Sequence, residues 1–217
     1  DADGDGDADG DGDGDADGDG DADGDGDIDA DADGDVDIDT GDTDADTGSS
    51  SSGYTSMSTG GYHTCVISGG SIECWGNDDH DQVTDAPTSS GYTAVSGGFH
   101  HTCAIDSIGA IECWGNDDHD QVTHAPTGYY HTAASGDGWH TCALDSIGGI
   151  ECWGHDADDQ VTDTPTSSGY TVVSGGNYHT CTLDSSGGIE CWGLDTYDQV
   201  TDTPTGSGYT AVSGGYW

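Results

Sequence analysis

Residues 91–127 read GYTAVSGGFHHTCAIDSIGAIECWGNDDHDQVTHAPT. Within them TAVSGG alternates small apolar and polar residues, HTCAID follows, a Gly-containing turn comes next, and AIECWG closes the run. Two β-rich runs split by a few turn residues read as a hairpin, and the alternating segment ahead of them reads as a third strand. A polar loop then carries the chain to Pro126.

The unit recurs. Its Cys-Trp-Gly step returns at Trp75, Trp114, Trp153 and Trp192, a period of 39 residues, and each copy closes at Pro87, Pro126, Pro165 or Pro204. A period near 40 with about three strands suggests a propeller blade or a related β-repeat unit, in which each copy buries its faces against its neighbours. The expected fold class is all-β: a propeller-like domain of four short repeats over residues 53–217, with a partial fifth. That fifth copy, GYTAVSGGYW at 208–217, holds only a first strand. It is expected to return to the first copy and close a compact four-bladed ring; the alternative is addition to a sheet edge on another molecule.

Eight cysteines fall into four pairs, Cys65 with Cys74, Cys103 with Cys113, Cys142 with Cys152, and Cys181 with Cys191. Each pair lies on adjacent strands of one predicted hairpin, close enough to bridge. Such pairs persist as disulfides in oxidising compartments, so the chain is expected outside the cell, secreted or at the cell surface. The competing reading is zinc, because His63, His101, His140 and His179 each lie two residues before a cysteine. The cysteines lack the close Cys-x-x-Cys pairing of such sites, which favours the disulfides.

The motif HTCALDSIGGIECWG, followed by a polar loop and Gln-Val, resembles the short bacterial form of the regulator of chromosome condensation repeat. The resemblance covers residues 53–217 and implies a β-propeller, used in that family mostly as a protein-binding platform. Two departures stand out. The glycine that the family places before Gln is here Asp81, Asp120, Asp159 and Asp198, and Asp tolerates left-handed backbone better than most residues. Family rings commonly have seven blades, whereas four copies are present here.

The loops NDDHD (77–81), NDDHD (116–120), HDADD (155–159) and LDTYD (194–198) occupy one place in each copy. Carboxylate and imidazole together suit metal or acid–base work. Turn formation is the favoured reading, because Asp and Asn bond nearby backbone and the His position becomes Tyr197 in the last copy. No Ser/His/Asp or Cys/His set stands out from the repeats, so no catalytic residue is assigned and no enzyme is expected.

Composition narrows the partners. The 217 residues include 45 acidic ones and not one Lys or Arg, for a formal charge of -45. Nucleic acid is excluded as a partner, because phosphate binding rests on Lys and Arg displacing counterions, and anionic membranes are excluded on the same ground. No apolar stretch approaches the roughly 18 residues of a membrane span, and a chain that begins at Asp1 without methionine reads as a processed soluble one.

Twenty-three of the 45 acidic residues sit in residues 1–47, an Asp-x tract joined to the repeats by GSSSS at 48–52. Aspartate occupies Asp1, Asp3, Asp5, Asp7, Asp9, Asp11, Asp13, Asp15, Asp17, Asp19, Asp21, Asp23, Asp25, Asp27, Asp29, Asp31, Asp33, Asp35, Asp37 and Asp39, then shifts phase to Asp42, Asp44 and Asp46. An extended strand places side chains two apart on one face, so the odd-numbered row forms a single carboxylate face with a spacing of about 6.6 to 6.8 Å. Neighbouring charges at that spacing repel by about 0.6 kcal/mol per pair in water. Without counter-ions such a segment reads as a solvated, disordered linker. Calcium reverses that balance, being a hard cation that takes carboxylate and carbonyl oxygens.

The text DADGDG resembles the Asp-x-Asp-x-Asp-Gly start of the calcium loops of EF-hands, dockerins and thrombospondin type 3 repeats. Only the ligand chemistry carries over, since position twelve of an EF-hand loop begun at Asp1 is Gly12 rather than a bidentate glutamate. Calcium takes six to eight oxygens, more than one extended strand supplies, so water or a second chain must complete each ion's shell. Facing tracts would line the ions up like rungs, and the small Gly and Ala residues would let the backbones approach. The expected function is therefore a secreted structural protein whose copies assemble through the tract into calcium-stabilised extracellular fibrils or matrix. The alternative is a cell-surface adhesin or protein-binding propeller on a calcium-stiffened stalk. Ser49, Ser50, Ser51, Ser52 and nearby threonines are candidate O-glycan carriers, and no Asn-x-Ser/Thr sequon occurs.

Overall fold

The structure is a computed structural model and describes residues 53–216. The expected Asp-x strand, the calcium ligands Asp1 to Asp46 and the Ser/Gly joint lie outside the described residues.

Among the described residues twelve strands follow one another: β1 (Tyr54–Thr59), β2 (His63–Ser68), β3 (Ser71–Gly76), β4 (Tyr92–Gly97), β5 (His101–Asp106), β6 (Ile111–Gly115), β7 (His131–Asp137), β8 (His140–Asp145), β9 (Ile150–Gly154), β10 (Tyr170–Gly175), β11 (His179–Asp184) and β12 (Ile189–Gly193). They form four three-stranded antiparallel sheets, β1-β2-β3, β4-β5-β6, β7-β8-β9 and β10-β11-β12. Each sheet is one 39-residue copy. Cysteines face each other in register, Cys103 opposite Cys113 for example, and all four predicted disulfides are formed with Cα atoms 4.1 Å apart. Because every cysteine is bridged, none is left as a thiolate, and the zinc alternative fails with it.

The central strand of each sheet is covered on both faces, which explains its short side chains. Thr102, Cys103 and Ala104 are fully buried, as are Thr141, Cys142 and Ala143. The first strand of each following copy lays its apolar residues on the sheet before it: Tyr92 and Val95 pack with Cys65, Ile67 and Ile72, and Tyr170 and Val173 pack with Cys142, Leu144 and Ile150. Apolar area between neighbouring sheets is thus the main source of cohesion along the array.

Polar staples repeat at the same interfaces. Trp114, Trp153 and Trp192 donate their indole N–H to the backbone carbonyls of Gln82, Gln121 and Gln160, each at 2.9 Å. The Gly97, Gly136 and Gly175 amides donate to the hydroxyls of Ser58, Ser96 and Ser135 in the preceding sheet.

The partial fifth copy does not return to the first. Tyr209 N–H donates to Gly187 O at 3.1 Å, Gly214 N–H to Ser174 Oγ at 3.0 Å, and Gly215 O accepts from Asn177 N–H at 3.1 Å. These contacts seat the segment on the fourth sheet as β4 is seated on the first. The expected ring closure fails because its place beside β2 is already held by β1, which pairs with β2 from Tyr54 to Thr59.

Candidate binding surface

Each copy turns sharply between its first and second strands through small residues, and the turn is followed by a buried histidine. His63, His101 and His140 place Nε2 at 2.6, 2.7 and 2.7 Å from the hydroxyls of Thr102, Thr141 and Thr180 in the next copy. Those hydroxyls lie 4.0, 3.9 and 3.7 Å from the sulfurs of Cys65, Cys103 and Cys142. With its proton on Nε2, each imidazole donates to the threonine oxygen, leaving the hydroxyl proton free to point at sulfur. The Nδ1 atoms of these three rings then carry lone pairs without a partner. Burial, reinforced by neighbouring imidazoles, lowers His101 to about 3, and burial followed by His155 and His179 lowers His140 to about 4. The rings are neutral structural groups joining one copy to the next.

The turns converge on a cavity of about 240 Å³, lined by all five copies and including Gly60, Gly98, Asp137, Asn177 and Gly215. Asp137 stands where Gly98 and Gly176 stand in the neighbouring copies. Its carboxylate accepts from Ser135 Oγ at 2.7 Å, and burial outweighs this and the Gly175 amide, raising its pKa to about 6.

Beside the cavity runs a strip of rings. The residue before each buried histidine is Tyr62, His100, Trp139 or Tyr178. Tyr62 stacks on His100 at 5.1 Å, His100 meets Trp139 at 5.3 Å, and His119 meets Trp139 at 5.6 Å. His119 continues to His155 at 4.7 Å, and His155 to Tyr178 at 6.4 Å. Phe99 joins this strip to the cavity through contacts of 5.9 Å with both Trp139 and Tyr216. Sequence reasoning did not single out this surface. Its signal was an aromatic or imidazole ring at one register position in all four copies, which has meaning only once the copies are placed side by side.

The acidic loops are turns. Asp78 Oδ1 accepts from the amides of Val83 and Thr84 at 2.8 and 3.0 Å, and Asp117, Asp156 and Asp195 repeat the pattern. The Thr84 hydroxyl and then these amides hold Asp78 below the usual carboxylate range. Asp81, Asp120, Asp159 and Asp198 adopt positive φ of 59°, 62°, 59° and 61°, the left-handed geometry that Asp tolerates better than most residues. Histidines from these loops, His80 and His119, contribute to the ring strip. No sequence-predicted calcium ligand falls within the described residues.

No protein-family model matches the chain, and no curated protein matches it significantly. Solved structures do. The chain is similar to the ectodomain of the receptor kinase CR4 of Physcomitrella patens, at 22% identity and a TM-score of 0.63 over 74% of this chain and 47% of that one. Prp20p of Saccharomyces cerevisiae matches at 14% identity and a TM-score of 0.61 over 78% and 56%. The CRINKLY WD40 ectodomain of the Arabidopsis thaliana receptor kinase ACR4 matches at 24% identity and a TM-score of 0.56 over 64% and 50%. These likenesses establish a propeller-like repeat fold, and the chain spans about half the length of the structures it matches.

Proposed function

We propose that the protein is an extracellular structural component, without catalytic activity, in which the Asp-x tract binds a row of calcium ions and joins copies into fibrils or matrix. The observation that carries this reading is the strict alternation of aspartate from Asp1 to Asp39 in a chain that has no Lys or Arg to neutralise it. A spacer needs charge but not alternation; a one-sided carboxylate row is what a line of divalent cations requires. Four disulfides support the extracellular setting, since they persist where the medium is oxidising. At about 3.3 Å per residue a forty-residue tract, if fully extended, would reach roughly 130 Å, a length suited to a fibre-forming element.

A second reading is favoured by the ring strip from Tyr62 to Tyr178. On it the propeller body is an adhesin-like platform for another protein, and the calcium-loaded tract serves as its stalk. Imaging of the purified protein with millimolar calcium and with a chelator separates the two. Fibrils in calcium that dissolve in chelator support the structural role; a monomer at every concentration in calcium eliminates it and leaves the platform.

A further inference from the structure

The face by which each sheet meets its predecessor is buried in three copies and bare in one. In the second, third and fourth sheets Trp114, Trp153 and Trp192 are each 4% exposed, and Tyr92 and Tyr170 are 6% and 8% exposed. The same positions in the first sheet are Trp75 at 52% and Tyr54 at 72%, and Met57, at the place of Val95 and Val173, is 68% exposed. Trp114, Trp153 and Trp192 each donate to a glutamine carbonyl of the sheet before them. Among the described residues no sheet precedes Trp75, and residues 1–52 contain no repeat that would supply one.

The complementary surface exists on the same chain. Gln199 stands at the place of Gln82, Gln121 and Gln160, which are fully buried under the following copy, whereas Gln199 is only partly covered. Leu194 replaces the Asn or His that accepts from the glutamine amide in the other copies, so Gln199 Nε2 is buried without a partner. The fourth sheet is overlaid by residues 208–216, which belong to no strand ladder. That segment, GYTAVSGGY, and the first-sheet segment GYTSMSTGGY at 53–62 are versions of the same strand.

We propose that a second copy of this chain covers the bare face: the first sheet of one molecule docks head-to-tail on the fourth sheet of another. Trp75 Nε1 donates to the Gln199 carbonyl, and β1 takes the seat held within a single chain by residues 208–216. The direction of exchange follows from pairing, because β1 is held to β2 by a full ladder and the 208–216 segment is not. The new interface continues the three already present in the chain, with the same residue types at the same positions. Each molecule carries one leading and one trailing face, so the contact is heterologous and closes only when the rotation completes a turn. With one leading and one trailing face engaged per contact, a pair is the smallest assembly that can close, and the closed pair is the assembly expected. The inference concerns the propeller body and does not depend on the calcium row.

The test is sedimentation equilibrium of the full chain in excess EDTA, where the tract cannot hold ions, so that its failure is separate from failure of the fibril reading. The expected result is twice the monomer mass, with association weakened about 30-fold or more by Met57→Asp or Trp75→Asp, the scale of losing a central interface residue. Ile108→Asp, at an exposed hairpin tip away from this face, leaves association unchanged. Hydrogen exchange gives a second readout: on dilution the amides of β1 lose protection and those of residues 208–216 gain it. A monomer at all concentrations, a dimer indifferent to Met57→Asp and Trp75→Asp together, or open chains of growing length would each overturn the closed pair.

Discussion

A buried histidine in every copy is an unusual choice for a thin β-core, and its position explains it. His101 Nε2 reaches Thr141 in the next copy, so the ring adds a polar bond across the interface where Cys103, Ala143 and Trp153 pack. Thr141→Val leaves a buried donor unpaired and is expected to cost about 1–3 kcal/mol in urea unfolding. The pH dependence follows from the lowered values near 3 and 4 for His101 and His140 against 6.5 when exposed. Below pH 6.5 the unfolded chain takes up protons that the folded chain refuses, so their contribution is complete above pH 6.5 and is lost as pH falls toward 4. Unfolding measured from pH 7 to 4 should show this decline, with a shallower slope in His140→Asn. Asp137 has the opposite sign. Its raised pKa of about 6 makes its contribution present below pH 3.8 and lost as pH rises through 6. Asp137→Asn should therefore raise the melting temperature at pH 7 and bring no gain at pH 3.5.

At the scale of the elements, the hairpins were readable because cysteines, Gly turns and alternation all pointed to the same strands. The pairing Cys103 to Cys113 and the left-handed Asp120 follow from local chemistry alone. Replacing Cys103 and Cys113 by serine should cost about 2.5 to 3 kcal/mol in the chain-entropy view, read as a lowered urea midpoint. Asp120→Gly should be neutral to within about 0.5 kcal/mol, whereas Asp120→Val should be destabilising by about 1–2 kcal/mol, since a branched side chain resists positive φ. The seat of residues 208–216 was not readable, because a strand with the sequence of β4 fits any place that β4 fits, and only occupancy by β1 decided between them. The strip from Tyr62 to Tyr178 escaped for a related reason. Its touching rings lie 20 to 39 residues apart in sequence and meet only through the angle between neighbouring sheets, which packing sets and no local motif encodes.

At the scale of the molecule, two parts answer opposite problems. The propeller body holds together by repeated apolar interfaces and disulfides, while the acidic tract accumulates charge that nothing in the chain neutralises. A chain of this charge is expected to repel its own copies at low ionic strength, so assembly without cations through the tract should fail. On the proposed reading, calcium would convert the same repulsion into a reason to associate, because each ion needs more oxygens than a single extended tract would offer. Calcium titration by calorimetry tests this most directly. With about two carboxylates to an ion, the account predicts on the order of ten calcium ions bound per chain, with the uptake lost when Asp1 to Asp39 are changed to Asn. Binding of no more than one or two ions per chain would contradict it.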